Sequence, residues 1–284
     1  MNLQDLPTLS VTRRGDPRYA SPGTVREVVV RGIPVGGARP VVIAGPCAVE
    51  TREQTLRVAR AVRAAGADML RGGAYKPRTN PHSFQGLGAA GLEILAEARA
   101  ETGLPVVTEV MDPRLVEKVG AVADVLQVGS RNMQNFPLLT EVGRFGRPVL
   151  LKRGFAATLE EWLCAAEYVA MEGNRDVILC ERGIRTFAVD EYARNTLDLN
   201  VLPALREVCW LPVIVDPSHA TGDWRRVTPT SAAAIACGAD GLILEVIGSE
   251  EERARTLCDG VQGILPDQLE RIVAGARGRA AAAT

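Results

Sequence analysis

Residues 41–73, VVIAGPCAVETREQTLRVARAVRAAGADMLRGG, contain the unit that decides the fold. The unit opens with an uninterrupted apolar run, VVIAG (41–45), and closes with a second short run, DMLRGG (68–73). Between them, REQTLRVARAVRAAG (52–66) repeats its apolar residues every three or four positions, which is typical of an amphipathic helix. Apolar strands joined by such a helix are typical of a parallel sheet that helices cover. The stretch therefore predicts a strand, a helix and a second, parallel strand.

The same alternation continues along the rest of the chain. Six further apolar runs predict strands: PVVTEV (105–110), VLQVG (125–129), PVLLKRG (148–154), DVILCERG (176–183), PVIVDPSH (212–219) and GLILEV (241–246). Helical spacing recurs in GLEILAEARAETG (91–103), TLEEWLCAAEYVAMEG (158–173), TPTSAAAIACG (228–238) and PDQLERIVAGAR (266–277). Eight strands alternating with helices predict an α/β fold, a (β/α)8 TIM barrel. A doubly wound sheet is the alternative, and its dinucleotide-binding form is disfavoured because no GxGxxG motif opens the first helix.

The chain before residue 41 has a different character. Residues 1–25 are rich in Pro, Arg and Gly and predict an irregular arm, whereas REVVVRGIPVGGA (26–38) has two short apolar runs and predicts a β-hairpin. We therefore divide the chain into an N-terminal arm and hairpin (1–40) and a catalytic barrel (41–284). We expect the hairpin to close the bottom of the barrel.

Composition excludes several classes of protein. The 33 basic and 34 acidic residues leave a net charge of −1, so the basic character of a nucleic-acid binder is missing. No apolar stretch approaches the roughly 20 residues of a membrane span, and the first 23 residues lack the apolar core of a secretory signal. The six cysteines are widely spaced and contain no CxxC pair. We therefore expect a reduced, cytoplasmic protein with no membrane or nucleic-acid partner.

Polar residues collect where the predicted strands end, which is where a TIM barrel carries its active site. Six of them are cationic: Arg71, Lys76, Arg78, Arg131, Lys152 and Arg182. Arginine binds phosphate or carboxylate with two parallel hydrogen bonds, and lysine supplies a point charge. Six like charges at one opening predict two phosphates and a carboxylate as ligands. The alternative is that each cation pairs with a nearby acid, such as Glu109 or Glu181, as surface cations often do.

A second group of residues predicts a metal site. Cys47 follows the first predicted strand, His219 ends the seventh and Glu245 lies at the end of the eighth, and these strands are neighbours in a closed barrel. A thiolate, an imidazole and carboxylates suit a divalent ion such as Mn, Fe, Co or Zn, and Asp259 is the most plausible fourth ligand. The ordinary alternatives are a buried core thiol for Cys47 and a helix cap for His219. The remaining cysteines are interpreted as ordinary thiols: Cys164, Cys180, Cys209, Cys237 and Cys258.

The chain resembles the type Iβ 3-deoxy-7-phosphoheptulonate (DAHP) synthases over roughly residues 27–277. The strings that carry the resemblance are GPCAVE (45–50), RGGAYKPRT (71–79), SFQGLG (83–88), QVGSRNMQNF (127–136), LLKRG (150–154), ILCERGIRT (178–186), RNTLDL (194–199), DPSHATG (216–222) and LEV (244–246). The resemblance implies a metal-dependent, aldol-type condensation of phosphoenolpyruvate with erythrose 4-phosphate. The products would be 3-deoxy-D-arabino-heptulosonate 7-phosphate and phosphate, at the first step of the shikimate pathway.

The resemblance also implies a role for each residue of the site. The metal ligands would be Cys47, His219, Glu245 and Asp259. The phosphoenolpyruvate site would be formed by Arg71, Lys76, Arg131, Lys152 and Arg182. The erythrose 4-phosphate site would be formed by Pro77, Arg78 and Thr79, with sugar contacts from Asp216 and Ser218. Glu109 would hold a water molecule or a cation.

Lys76, Cys47 and His219 are the implied catalytic residues. Lys76 would move protons, and we expect the arginines around it to lower its pKa. The segment KPRT (76–79) is similar to users of erythrose 4-phosphate, because related octulosonate 8-phosphate synthases carry a KANRSS-like segment there. Cys47 favours metal dependence, since metal-independent relatives carry Asn at that place.

The loop after the eighth strand departs from the family's pattern. Type Iβ members read EVHPEP there, whereas this chain reads EVIGSEEE (245–252), so Glu250, Glu251 and Glu252 compete with Asp259 for the fourth ligand position. The altered loop also leaves open a secondary-metabolism enzyme that condenses phosphoenolpyruvate with a different aldehyde. An inactive barrel acting as a regulatory or binding subunit is disfavoured because Cys47, His219 and Glu245 are all present.

The resemblance carries two expectations about the whole protein. Forty residues before the barrel cannot hold the ferredoxin-like or chorismate mutase domain of regulated members. We therefore expect no built-in feedback inhibition by Phe, Tyr or Trp. Barrels of this family commonly form dimers or tetramers, so we expect a homodimer or homotetramer.

Overall fold

A closed barrel of eight parallel strands dominates the described residues, and a two-stranded antiparallel sheet precedes it. The computed structural model describes residues 6–188, 190, 194–258 and 260–282. Within them the strands are β1 (Val28–Val30), β2 (Ile33–Val35), β3 (Val41–Gly45), β4 (Met69–Arg71), β5 (Val106–Glu109), β6 (Val125–Val128), β7 (Val149–Lys152), β8 (Val177–Glu181), β9 (Val213–Val215) and β10 (Gly241–Glu245). The helices are α1 (Arg52–Ala64), α2 (Ala89–Thr102), α3 (Val116–Gly120), α4 (Phe136–Phe145), α5 (Leu159–Met171), α6 (Val201–Val208), α7 (Pro217–Thr221), α8 (Trp224–Ala236), α9 (Glu250–Arg253) and α10 (Pro266–Ala282). The predicted TIM barrel is confirmed.

The first and last barrel strands pair with each other and close the sheet. Gly241 lies opposite Val41 and Glu245 opposite Gly45 in the parallel ladder between β10 and β3. Every residue of these two strands is buried, as expected for strands covered on both faces. Closure brings the loops that follow β9, β10 and β3 together at one side of the barrel opening, although they are far apart in sequence.

The hairpin β1–β2 packs against the interior of the barrel. Val28, Val30 and Val35 form one buried cluster with the inward-facing residues Val41, Ile43, Met69, Val107, Val125, Leu150, Ile178, Cys180, Ile214 and Ile243. The cluster fills the barrel with branched side chains, as in other TIM barrels. The hairpin thus closes the end of the barrel opposite the strands' carboxyl termini, as predicted.

Side-chain caps explain where the outer helices begin. The Thr158 side chain accepts from the backbone N–H of Glu161, whose carboxylate accepts from the N–H of Thr158, so a capping box starts α5. The helix expected at 228–238 instead begins at Trp224, because Asp223 caps it by accepting from the N–H of Arg225 at 3.0 Å. Pro229 therefore lies inside α8.

Among the described helices, none has both the length and the apolar character of a membrane span.

Candidate active site

The carboxyl ends of the barrel strands surround a cavity of about 290 Å³. Pro77 and Thr79 line the cavity, as do seven cationic side chains: Arg71, Lys76, Arg78, Arg131, Lys152, Arg182 and Arg194. Glu109 contributes the one carboxylate among the described lining residues. The six predicted cations therefore share one cavity, and their excess positive charge favours a ligand with several anionic groups.

Cys47, His219 and Glu245 come together beside this cavity. Cys47 lies two residues beyond β3, His219 lies in α7 just after β9, and Glu245 ends β10. One ligand atom from each lies within 4.8 Å of the other two. The structure thus brings together three of the four predicted metal ligands, and Asp259 lies outside the described residues.

Asp216 fixes the orientation of His219. The carboxylate of Asp216 caps α7, accepting from the backbone N–H of His219 at 3.0 Å, and its Oδ2 lies 2.7 Å from His219 Nδ1. His219 Nε2 lies 3.0 Å from Glu245 Oε1. Burial alone would lower the pKa of His219, but the carboxylates of Asp216 and Glu245 outweigh it and raise the pKa to about 9. With Nδ1 held by Asp216, Nε2 is the nitrogen directed at Cys47 and Glu245.

Glu245 is held as a carboxylate by three neighbours. Arg71 Nη1 donates to Oε1 at 2.8 Å, and Gln262 Nε2 donates to Oε2 at 2.5 Å. Burial alone would raise the pKa of Glu245, but His219 and Arg71 outweigh it and keep the pKa well below its ordinary value. A charged carboxylate here is the form that binds a cation.

Asp216 and Ser218 do not line the cavity in the described structure, so their contact with the sugar stays a prediction. Asp216 is fully buried between His219 and Lys152, with which it forms an ion pair. Ser218 is also fully buried, and its Oγ accepts from the backbone N–H of Glu245 at 3.0 Å. Both residues therefore position other side chains of the site.

The structure also corrects the expected pKa of Lys76. Its Nζ lies 3.1 Å from the carbonyl oxygen and 3.3 Å from the sulfur of Cys47. Burial alone would lower the pKa of Lys76, but the sulfur atoms of Cys47 and Cys258 outweigh both burial and Arg71 and raise it. Lys76 is therefore a buried ammonium group that can donate protons beside the candidate metal ligands.

Cys258 belongs to the site, although the sequence suggested an ordinary thiol. Its sulfur lies 3.1 Å from the sulfur of Cys47, and Arg78 Nη1 donates to it at 2.9 Å. The hydrogen bond with Cys258 and burial raise the pKa of the Cys47 thiol well above its ordinary value. A metal ion would therefore have to displace a firmly held proton from Cys47.

The three acids that competed with Asp259 lie in or beside α9, apart from the cluster of Cys47, His219 and Glu245. Glu250 forms an ion pair with Arg253, and Glu252 forms one with Arg57. These contacts direct both carboxylates away from the three ligands, and Glu251 is exposed. The described residues thus favour none of the three as the fourth ligand.

Arg182 is a buried cation that faces the cavity without a counterion. Its side chain is 5% exposed, and no hydrogen bond or ion pair to it occurs among the described residues. Burial lowers the pKa of Arg182, and Arg194 and Arg131 lower it further against the opposing effect of Asp216. A buried guanidinium with like charges around it favours an anionic ligand.

Two of the predicted cations form ion pairs with acids other than Glu109 and Glu181. Arg71 pairs with Glu245 and Lys152 pairs with Asp216, whereas Glu181 pairs with Arg153. Arg131 Nη2 donates to Thr79 Oγ1 at 3.3 Å. Pairing with a nearby acid therefore holds for Arg71 and Lys152, with Glu245 and Asp216 as the acids.

Among the described residues, one carboxylate oxygen of Glu109 has a hydrogen-bond partner and the other has none. Gln127 Nε2 donates to its Oε2 at 3.3 Å, whereas its buried Oε1 has no hydrogen-bond partner in the described structure. A buried carboxylate oxygen facing a cavity favours a bound water molecule or other donor there.

Besides Cys258, sequence reasoning missed Arg194, Gln262, Phe155 and Gln127, which the structure places at the site. Arg194 donates to Gln262 Oε1 at 2.7 Å, and Gln262 in turn holds Glu245. Phe155 and Gln127 line the cavity. Arg194 lies in the string RNTLDL (194–199), which could have drawn attention to it, whereas no signal in the sequence distinguishes Gln262.

The donor set fits a divalent ion. Cys47 offers a sulfur atom, His219 a nitrogen atom and Glu245 an oxygen atom. Asp216 holds the ring of His219 and Arg71 holds the carboxylate of Glu245, and each of the two side chains keeps a ligand atom directed at the cluster. Mixed sulfur, nitrogen and oxygen ligands suit Zn, Fe, Co or Mn and leave the choice among them open.

Comparisons with known proteins point to one family. The sequence profile of the DAHP synthetase I family matches residues 24–277. A phospho-2-dehydro-3-deoxyheptonate aldolase from Thermotoga maritima is 50% identical over 232 residues, which are 82% of this chain and 67% of that protein. A 2-dehydro-3-deoxyphosphooctonate aldolase from Syntrophobacter fumaroxidans is 33% identical over 262 residues, 86% of this chain and 88% of that protein.

A solved structure resembles the whole barrel. The crystal structure of a DAHP synthase from Thermotoga maritima superposes with a TM-score of 0.89 at 43% sequence identity. The match covers 98% of this chain and 78% of that one.

Proposed function

This chain belongs to the DAHP synthetase I family and is an enzyme of that family, and we propose that it condenses phosphoenolpyruvate with erythrose 4-phosphate. The proposal includes a divalent ion held by Cys47, His219 and Glu245. The products are 3-deoxy-D-arabino-heptulosonate 7-phosphate and inorganic phosphate, with one water molecule consumed.

One observation carries the proposal: a cavity whose described lining has seven cations and one carboxylate adjoins a cluster of thiol, imidazole and carboxylate. Two phosphorylated reactants bring two phosphates and the carboxylate of phosphoenolpyruvate, which match that charge. The cluster supplies ligands for a Lewis acid at the edge of the same cavity. A divalent ion would be held there by Cys47, His219 and Glu245 and would supply Lewis-acid polarisation of an aldehyde oxygen.

The cations divide between the two substrates. Arg182, with no acidic partner among the described residues, and Arg131 bind the phosphate of phosphoenolpyruvate, and Lys152 contributes to the same site. Arg78 and Thr79 bind the phosphate of erythrose 4-phosphate. The hydrogen bond from Arg131 to Thr79 supports this arrangement because it links the two sites. Holding both anions together overcomes their repulsion and aligns the reacting carbons, which can contribute roughly 7–11 kcal/mol in favourable cases.

The remaining polar groups act on the reacting atoms. C3 of phosphoenolpyruvate forms a bond to the aldehyde carbon, and Lys76 donates a proton to the oxygen that becomes a hydroxyl. Glu109 accepts a hydrogen bond from the water that adds to C2, since its Oε1 is available within the cavity. The C2–O bond to phosphate then breaks, and phosphate leaves with both bonding electrons. The oxygen from water loses both of its protons as the C2 ketone forms, one returning to Lys76 and one leaving with the phosphate.

The test is phosphate release from phosphoenolpyruvate in the presence of different aldehydes. We expect release with erythrose 4-phosphate, no release without an aldehyde, and loss of release when a chelator removes the ion. Parallel assays use arabinose 5-phosphate and the amino analogue of erythrose 4-phosphate. Faster phosphate release with arabinose 5-phosphate or with the amino analogue would contradict erythrose 4-phosphate as the substrate. Full activity in the presence of the chelator would contradict the need for a metal ion.

A further inference from the structure

Phe155 lies among three guanidinium groups at the opening of the cavity. It follows β7, is half-buried and lines the cavity. The guanidinium carbons of Arg182 and Arg185 each lie 4.7 Å from the ring centre, and that of Arg131 lies 5.4 Å from it. All three fall within the about 6 Å at which a cation is attracted to an aromatic face.

The three arginines come from two different loops, and Phe155 connects them. Arg131 lies in the turn Ser130–Asn132 after β6, whereas Arg182 and Arg185 follow β8. The backbone N–H of Arg185 donates to the carbonyl oxygen of Phe155 at 2.7 Å. The loop that carries Phe155 therefore lies between the other two and contacts both.

These cations have little else to hold them in place. Among the described residues, Arg182 has no hydrogen bond or ion pair, and the hydrogen bond of Arg131 goes to the neutral Thr79. Like charges at this distance repel each other, and repulsion would turn the guanidinium groups outward towards water. The face of an aromatic ring carries negative charge density, so it attracts all three without using the donors that a phosphate needs.

We propose that Phe155 is a positioning residue for substrate binding, and that its ring holds Arg131 and Arg182 in the arrangement that receives the phosphate of phosphoenolpyruvate. The inference rests on the proposed function, because it assigns that phosphate to these arginines. Leucine or methionine would fill much of the same space but would lack the aromatic face. Tyrosine or tryptophan would keep the aromatic face.

The experiment compares Phe155→Leu and Phe155→Tyr with the wild-type enzyme. We measure the dissociation constant of phosphoenolpyruvate by calorimetry and the steady-state KM and kcat. For Phe155→Leu we expect binding to weaken about tenfold, which corresponds to about 1.4 kcal/mol. The KM for phosphoenolpyruvate should rise with it while kcat changes by less than about threefold, since the arginines hold the substrate before and during the reaction.

Rescue by an aromatic substitute separates charge attraction from packing. Phe155→Tyr should bind phosphoenolpyruvate within about threefold of wild type. Phe136→Leu is the matched control, because it removes an exposed aromatic ring from α4, away from the cavity. Phe155→Met serves if the leucine variant unfolds.

Two outcomes would overturn the inference: unchanged binding in both the Leu and Met variants, or equal weakening in the Tyr and Leu variants. Failure of the proposed function has a different signature. In that case the wild-type enzyme itself would neither bind phosphoenolpyruvate nor release phosphate from it.

Discussion

At the scale of single residues, Lys76 is a proposed catalytic group with confined surroundings. Its ammonium group is buried against the carbonyl and sulfur of Cys47, and a Cβ added at Gly73 would lie 2.5 Å from its side chain. The guanidinium group of arginine is larger than the ammonium group of lysine, is planar, and points its hydrogen-bond donors in different directions. We expect Lys76→Arg to keep the charge but to lower kcat by about 100-fold or more.

The measurement is steady-state kinetics at saturating concentrations of both substrates. Lys118 provides the matched control because it lies exposed on α3, so Lys118→Arg should retain wild-type kcat. Near-normal turnover of Lys76→Arg would remove Lys76 from the chemistry.

His219 predicts a pH dependence of stability for protein stripped of metal. Its pKa in the fold is about 9, raised from an ordinary value of 6.5. A raised pKa means that the fold favours the protonated ring, so the added stability is fully present below about pH 6.5 and is lost as the pH rises through about 9. The difference corresponds to about 3 kcal/mol.

Urea unfolding of the stripped protein at pH 7 and at pH 9.5 measures this effect. We expect a lower free energy of unfolding at pH 9.5, and a much smaller change in His219→Gln. Equal stability of the wild-type protein at both values would contradict the assigned contacts with Asp216 and Glu245.

At the scale of secondary-structure elements, the hairpin β1–β2 offers a sharp test of the packing. Val28 is fully buried against the barrel interior, whereas the adjacent Val29 points outward and is 56% exposed. Removing two buried methyl groups loses burial and leaves a cavity. We expect Val28→Ala to lower the free energy of unfolding by about 2 kcal/mol and Val29→Ala to change it by less than about 0.5 kcal/mol.

Denaturant unfolding of the two variants checks the prediction under one set of conditions. Similar losses in both would mean that the hairpin does not pack on the barrel as described. Similar small changes in both would mean that its contact adds little to stability.

Strands and helices differed in how well the sequence predicted them. Parallel barrel strands are buried on both faces, so each appears as a continuous apolar run, and all eight were found. Helix starts depend on single capping contacts, and the start of α8 was misplaced because the cap at Asp223 lies five residues before Thr228. Short helices such as α7 and α9 have too few residues to show a helical period.

At the scale of the whole molecule, closure of the barrel explains why the cluster of Cys47, His219 and Glu245 was predictable. Residues 47, 219 and 245 are remote in sequence, but strand order alone makes β9, β10 and β3 neighbours. The contacts within the site were not predictable in the same way. Loop conformations decide whether Lys76 faces sulfur or guanidinium groups and whether Cys258 reaches Cys47. No periodicity in the sequence encodes these conformations.

Net charge was also a poor guide to the site. The chain as a whole is nearly neutral, yet seven of the described cations line one cavity. Only the assignment of residues to strand ends revealed this concentration, since composition averages over the entire surface. Arg194 escaped notice because it reaches the cavity from a long loop after β8 and not from a strand end.

The most direct test of the central claim is the near-ultraviolet absorption spectrum of the protein loaded with Co²⁺. A thiolate bound to Co²⁺ gives a sulfur-to-metal charge-transfer band that oxygen and nitrogen ligands do not produce. We predict this band for the wild-type protein and for Cys258→Ser, and its loss in Cys47→Ser. A wild-type spectrum without the band, or a band that persists in Cys47→Ser, would contradict a metal site built on Cys47.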